Sequence, residues 1–284
     1  MATARSRGAR IRSNLFAYAN VAPFLFFVLF PFFFMAVTSF KSNAELYNLQ
    51  SVPFFVRAPI VEHYTFLFAR TEFLTWMKNS LLVAIVATAA SVAISILAGY
   101  SLARLRFRGA GSFGTAIFIT YLVPPTLLFL PLSQVVVWLG LADSIAALMV
   151  TYPTFLVPFC TWLLMGYFRT IPREVEECAL VDGATRMQTL WKIVLPMALP
   201  GIICAILFSF TLCWNEFIYA LTFISQSGHK TAVVGVTADL IRGDIYYWGS
   251  LMAGALLASI PIVVVYVLFL DYYVSGLTAG AVKG

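Results

Sequence analysis

A chain of 284 residues that is 61% hydrophobic and only 11% charged departs far from water-soluble domains, in which charged residues make up roughly 25%. Its net charge of +6 is accounted for by Lys and Arg retained on one side of a bilayer that carries anionic lipid, so a nucleic-acid partner is not required. Cys160, Cys178, Cys204 and Cys213 form no CxxC pair and read as small buried hydrophobes.

Six charge-free runs are each long enough to cross about 30 Å of hydrocarbon as a helix rising about 1.5 Å per residue. They are Ser13–Phe40, Asn79–Ala103, Gly109–Ala142, Ser144–Phe168, Ile193–Asn215 and Ile245–Leu270. With their flanks they predict spans at about 15–39, 76–103, 112–138, 144–168, 193–222 and 247–270 of one transmembrane domain, 1–284. Their continuous apolarity fits helices, not the short alternating strands of a membrane barrel. The fold class expected is therefore an all-α membrane protein with six transmembrane helices.

The first run follows Arg5, Arg7, Arg10 and Arg12, contains Pro23 and Pro31, and exceeds the core of a signal peptide, so it reads as an uncleaved span. Placing that basic end in the cytoplasm puts 12 of the 18 Lys and Arg residues inside and 6 outside. Both termini are then cytoplasmic. Residues 41–75 and 222–247 become external segments, each either a solvated loop with interfacial aromatics or a docking surface. In the second run Ala87, Ser91, Ser95 and Gly99 recur every fourth position, a stripe that lets helices approach closely; Gly254 and Ala258 repeat it in the sixth. Pro124, Pro125, Pro131, Pro153 and Pro158 favour kinks in the third and fourth runs, which become candidates for the transport pathway. Between those two runs, Gly140, Asp143 and Ser144 predict a tight hairpin.

Several chemistries are excluded. Gly109, Gly111 and Gly114 match GxGxxG, but they follow Arg104, Arg106 and Arg108 and lead into a span, where a dinucleotide fingerprint needs a preceding strand. There is no GxxxxGK[ST], no HExxH, and His63 and His229 are the only histidines. No nucleophile with a base in reach is evident. No catalytic residue, metal site or cofactor is expected in this chain.

The polar stretch Pro172–Pro196, PREVEECALVDGATRMQTLWKIVLP, stands out among the apolar runs. Pro172 suits a first helical position, and Glu174, Glu176 and Glu177 sit in the first turns, where the helix dipole favours negative charge. Val175, Ala179 and Leu180 or Val181 supply an apolar face, and Gly183 can take positive φ at the end of a short helix. A second helix is expected over 184–191. This predicts cytoplasmic helices over 172–192 separated by a glycine turn. Its acid-rich face argues against a helix lying on anionic lipid.

At these residues the chain resembles the membrane subunits of bacterial ATP-binding-cassette importers, whose signature is EAA, three residues, G, nine residues, then IxLP. Glu177, Cys178 and Ala179 stand for EAA; Gly183, Ile193, Leu195 and Pro196 complete the spacing. Cys178 replaces the usual Ala. The stretches NSL (Asn79–Leu81), GYSLAR (Gly99–Arg104), WNEF (Trp214–Phe217) and GLTAGAVKG from Gly276 are similar to the carbohydrate branch, notably the second permease subunit of maltose-type systems.

The resemblance implies a type I importer permease fold in the bacterial inner membrane, carrying a sugar, polyol or sugar derivative. It implies a second permease subunit, two ATPase subunits that bind ATP and Mg, and a periplasmic solute-binding protein as partners. Glu177, Cys178, Ala179, Asp182, Gly183, Ile193, Leu195 and Pro196 would form the ATPase-coupling site, with Thr278–Gly284 as a second contact. Trp214, Asn215 and Glu216 would line the translocation path or anchor the span end at the interface. The competing reading is an ion-coupled secondary transporter or a channel subunit. Such proteins place an ionisable residue near mid-membrane, whereas every charged residue here, including Glu216 and Asp271, falls at or beyond the end of a run.

Overall fold

The computed structural model describes residues 7–48, 50–105, 107–242 and 245–274, without the side chains of 7–13, 242 and 245. The terminal GLTAGAVKG stretch, and with it the contact expected of Thr278–Gly284, lies outside the described residues. The helices in chain order are α1 (Arg7–Ser39), α2 (Asn43–Leu46), α3 (Glu62–Arg70), α4 (Phe73–Arg104), α5 (Ala110–Leu122), α6 (Pro125–Trp138), α7 (Ile145–Thr151) and α8 (Pro153–Phe168). They continue with α9 (Arg173–Val181), α10 (Arg186–Thr189), α11 (Leu195–Met197), α12 (Leu199–Asn215), α13 (Ile218–Phe223), α14 (Ala232–Asp239) and α15 (Trp248–Leu268). A π-helical turn, Leu190–Val194, joins α10 to α11. The described strands are a two-residue antiparallel pair, β1 (Ile241–Arg242) and β2 (Ile245–Tyr246), in the register Ile241 to Tyr246.

Among the described residues, four stretches are long and apolar enough to cross a bilayer unaided, and six are when each of two bent helix pairs counts as one span. The expected third span is one such pair. Its helices α5 and α6 meet at 96°, because each residue before a proline is driven to extended ψ: Val123 has ψ 121° and Pro124 ψ 126°. The expected fifth span is broken twice. Pro196 and Pro200 carry no N–H, so the carbonyls of Lys192 and Pro196 lose their helical donors; the ladder widens to the π turn and then bends by 78° into α12. Past Asn215, Glu216 turns extended (ψ 129°) and α13 starts afresh.

The chain divides into two compact units. One comprises residues up to Thr71 with Leu240–Leu257. Here α1 presents exposed Phe, Leu and Val on all sides, as suits a helix in lipid or against another subunit. The segment after α1 is a packed structure rather than a free loop. Lys41, 3% exposed, donates to the carbonyls of Val52 (2.7 Å) and Pro53 (3.0 Å), and buried His63 bridges the Lys41 carbonyl (2.8 Å) and Ser250 Oγ (3.3 Å).

The other unit comprises Glu72–Asp239 with the residues from Ala258 onward. Its centre is α4 packed on α8 and α12. The small-residue stripe makes this packing: Ala87, Ser91, Ser95 and Gly99 are all buried. Ser95 Oγ donates to the Val157 carbonyl at 3.2 Å. A Cβ on Gly99 would lie 3.1 Å from Met165 N and 3.3 Å from Thr161 O, so a side chain there would press the two backbones apart by a few tenths of an ångström. Two apolar cores flank the stripe, one around Trp214, Tyr152 and Tyr219, the other around Tyr100, Phe168 and Leu190. The hairpin between α6 and α7 forms as its residues predict, with Gly140 and Asp143 at positive φ and Ser144 capping α7.

Candidate coupling and translocation sites

The polar island Pro172–Pro196 is built from local signals. Pro172 stands just ahead of α9 rather than at its first position, and Glu174 and Glu176 fall in the first turn. At the other end Gly183 takes φ 86°. Its N–H donates to the Leu180 carbonyl (3.1 Å), and the Ala184 N–H donates to the Ala179 carbonyl (3.0 Å). This is a Schellman closure, which satisfies carbonyls left unpaired at a helix end. Thr185 then starts α10 with a reciprocal capping box: the Gln188 N–H donates to Thr185 Oγ1 (3.3 Å), and the Thr185 N–H donates to Gln188 Oε1 (2.8 Å). The T-x-x-Q pattern is readable in the sequence but does not enter the expected 184–191 helix, which starts two residues later.

One edge of the island is bound inward and the other is open. Ala179 is buried and Val175 half-buried, while Glu177, Cys178, Asp182 and Gly183 are exposed. Val181 (88%), Trp191 (59%) and Met187 (55%) are unusually bare for apolar side chains. Ile193 and Leu195 are half-buried in and just after the π turn, and Pro196 is exposed.

The inward polar contact of the island involves residues that sequence reasoning did not select. Glu176 is 8% exposed; its Oε2 accepts from Tyr100 Oη at 3.0 Å, and its Oε1 lies 2.7 Å from Arg104 Nε. That N–H is not aimed at the oxygen as a hydrogen bond, so the Arg104 contact is an ion pair by proximity. Arg104 Nη2 donates to the Ile171 carbonyl at 2.5 Å. Removing one partner of such a buried pair costs about 3–5 kcal/mol, because the other charge stays buried alone. The sequence shows a basic end to α4 and acids in α9; it does not show which acid meets which base. Beside the pair, Arg104, Arg173, Glu176, Glu177, Leu180 and Arg186 line a cleft of about 340 Å³.

The residues expected on the path separate into three environments. Trp214 is 2% exposed, stacked on Phe210 at 5.7 Å, and donates to the Ala258 carbonyl at 3.0 Å. Asn215 is exposed and its amide donates to the Thr211 carbonyl of its own helix (3.0 Å). Glu216 is half-buried at the break before α13. Its carboxylate accepts from the backbone N–H groups of Tyr219 (2.9 Å) and Ala220 (3.1 Å) and from the Tyr152 hydroxyl (2.9 Å). A carboxylate at that end meets the first unpaired N–H groups of α13. Tyr219 Oη donates to the Pro125 carbonyl at 2.9 Å, tying this corner to the start of α6.

A cavity of about 590 Å³ opens at the bend between α5 and α6, lined mainly by apolar and aromatic side chains, among them Tyr121, Phe155, Phe159 and Phe208, together with Thr120 and Thr154.

The glycine-separated helix pair lies within residues 91–278, which match a known family. The profile of the binding-protein-dependent transport system inner membrane component covers residues 91–278. The chain belongs to this family. It is 36% identical over 277 residues to the inner membrane ABC transporter permease protein YcjP of Escherichia coli, covering 97% of this chain and 98% of that protein. It is 34% identical to the sulfoquinovosyl glycerol transport system permease protein SmoH of Agrobacterium fabrum, covering 90% and 89% of the two chains. It is also 34% identical to the trehalose/maltose transport system permease protein MalG of Thermococcus litoralis, covering 90% and 92%. Among solved structures, a chain of a bacterial ABC transporter that imports the acidic polysaccharide alginate superposes with a TM-score of 0.76 over 95% of this chain and 99% of that one, at 21% identity, a likeness of fold. The family places the chain in the inner membrane as a transport component.

Proposed function

We propose that this chain is the permease subunit of a bacterial ATP-binding-cassette importer for a carbohydrate, a polyol or a related sugar derivative, acting over 1–284 as one transmembrane permease domain with cytoplasmic termini. Its partners are a second permease subunit, two ATPase subunits that bind ATP and Mg, and a solute-binding protein outside. ATP hydrolysis takes place in the ATPase partners. The substrate class rests on relatives named for sulfoquinovosyl glycerol and for trehalose and maltose, and on a cavity whose aromatic faces and hydroxyls suit sugar rings.

The observation that carries the reading is the island. Complete EAA spacing falls on a helix, glycine turn and helix whose inner edge is held by a buried ion pair and whose outer edge exposes Glu177, Asp182, Val181, Met187 and Trp191. Apolar side chains left bare beside acidic ones are a surface that a protein partner covers. Ile193, Leu195 and Pro196 carry the movement of the island into the bent fifth span, and Asn215 and Glu216 border the path, with Trp214 packed behind them. Glu177→Lys tests this. Membrane insertion should be normal while ATP-dependent uptake falls to background, and unchanged uptake of labelled sugar would sink the coupling assignment.

A further inference from the structure

Among the described spans, α4 alone is unbroken and free of proline along its length. Each of the others either contains an interior proline or belongs to a bent pair. Its 32 residues correspond to about 48 Å at the usual helical rise, more than the hydrocarbon thickness of about 30 Å. Both ends are fastened by side chains. At the C-terminal end Tyr100 and Arg104 hold Glu176 of the island.

At the N-terminal end, α4 holds the segment that follows α13. Trp76 Nε1 donates to the Ser227 carbonyl (2.8 Å), and Asn79 Nδ2 donates to the carbonyls of Gly228 and Lys230 (3.0 Å each). Ser80 Oγ accepts from the Ala232 N–H at 2.8 Å. The held segment is itself braced: Lys230 pairs with Asp239 at 2.6 Å, and Asp143 accepts from the N–H groups of Ser225 and Gln226. Between the two ends the small-residue stripe keeps α4 pressed on α8.

We propose that α4 is the transmission rod of the transporter, linking the ATPase-facing island at one end to the outer segment 225–239 at the other, with Arg104, Glu176, Trp76 and Asn79 as positioning residues. A kinked or broken helix absorbs an axial push by bending at the gap in its ladder. An unbroken helix fastened at both ends moves as one body and passes displacement on. The coupling works in both directions, because a free-energy link between two sites is reciprocal. Docking of the loaded binding protein on the outer segment biases the island, and closure of the ATPases displaces the outer segment.

The inference rests on the importer reading, and the test separates the two. The unaltered chain is co-purified with its second permease subunit and its ATPase, reconstituted in liposomes, and assayed for ATP hydrolysis with and without sugar-loaded binding protein. Asn79→Ala, and separately Ala89→Gly with Ala90→Gly in mid-helix, should leave assembly and the unstimulated rate unchanged. Each should cut stimulation by the binding protein about fivefold or more, the range of an allosteric coupling. Arg104→Glu should also cut stimulation, and pairing it with Glu176→Arg should restore it, a rescue that loss of packing alone does not give. Full stimulation in Asn79→Ala and in the double-glycine variant would overturn the rod while leaving the importer standing. Failure of any ATPase to accompany the unaltered chain would overturn both.

Discussion

Gly183 holds φ 86° in the turn that the coupling reading depends on. An L side chain there costs about 1–2 kcal/mol, least for Asn, which tolerates the left-handed region. Gly183→Val should therefore abolish uptake with normal membrane insertion, while Gly183→Asn should keep most of it; comparing the two in transport assays separates backbone conformation from side-chain bulk. Asp143 presents a different chemistry. Backbone N–H groups of Gln226 and Ser225, with His229 3.7 Å away, hold its carboxyl below the usual carboxylate range. Since the folded value lies below the unfolded one, the stabilising bonds are complete above about pH 4 and are lost as pH falls through the lowered folded value. Amide exchange at Ser225 and Gln226 should accelerate in that acid range beyond its intrinsic pH trend. Asp143→Asn should show faster exchange at neutral pH and no such transition.

At the scale of the element, prolines decide which spans bend. The pair Pro124 and Pro125 turns what would be one span into α5 and α6 and opens the aromatic cavity at the elbow. Replacing both with Ala returns two N–H donors to the ladder. The double variant should gain helicity and lose uptake, measured by circular dichroism and transport in the same preparation; full transport with a straightened span would remove the elbow from the pathway. The island shows the opposite case, where local chemistry is sufficient. Its stop at Gly183 and restart at Thr185 arise from hydrogen bonds between residues no more than five apart, which is why a reading of the sequence places both helices nearly correctly. The segment that follows α13 is less legible: the residues that pin it, Trp76, Asn79 and Asp143, lie far away in the chain.

For the whole molecule, sidedness decides how the parts act together. If the basic connections are retained inside, Cys178, which is exposed while Cys160, Cys204 and Cys213 are buried, is the thiol that a soluble maleimide reaches, and it reaches it from the cytoplasmic face. Labelling in inside-out vesicles, blocked when the ATPase is bound, is the expected result. Labelling of intact spheroplasts by an impermeant reagent would reverse the topology. The exposed apolar surface of α1 is continuous with this picture, since a helix bare on all sides is stable only in lipid or against a further subunit.

By itself the sequence determined the membrane setting, the number and order of apolar runs, the hairpin at Gly140 and Asp143, and the helix, glycine turn and helix of the polar island. Each of these is written in composition, in proline and glycine positions, or in spacings of a few residues. Only the tertiary structure decided that Glu176 rather than Glu177 is buried, that Arg104 is its partner, that Trp214 packs inward while Glu216 meets the Tyr152 hydroxyl, and that α4 is fastened at both ends. The reason is distance along the chain: these contacts join residues tens of positions apart. Which acid finds which base across that gap is set by how the helices pack and not by any local preference.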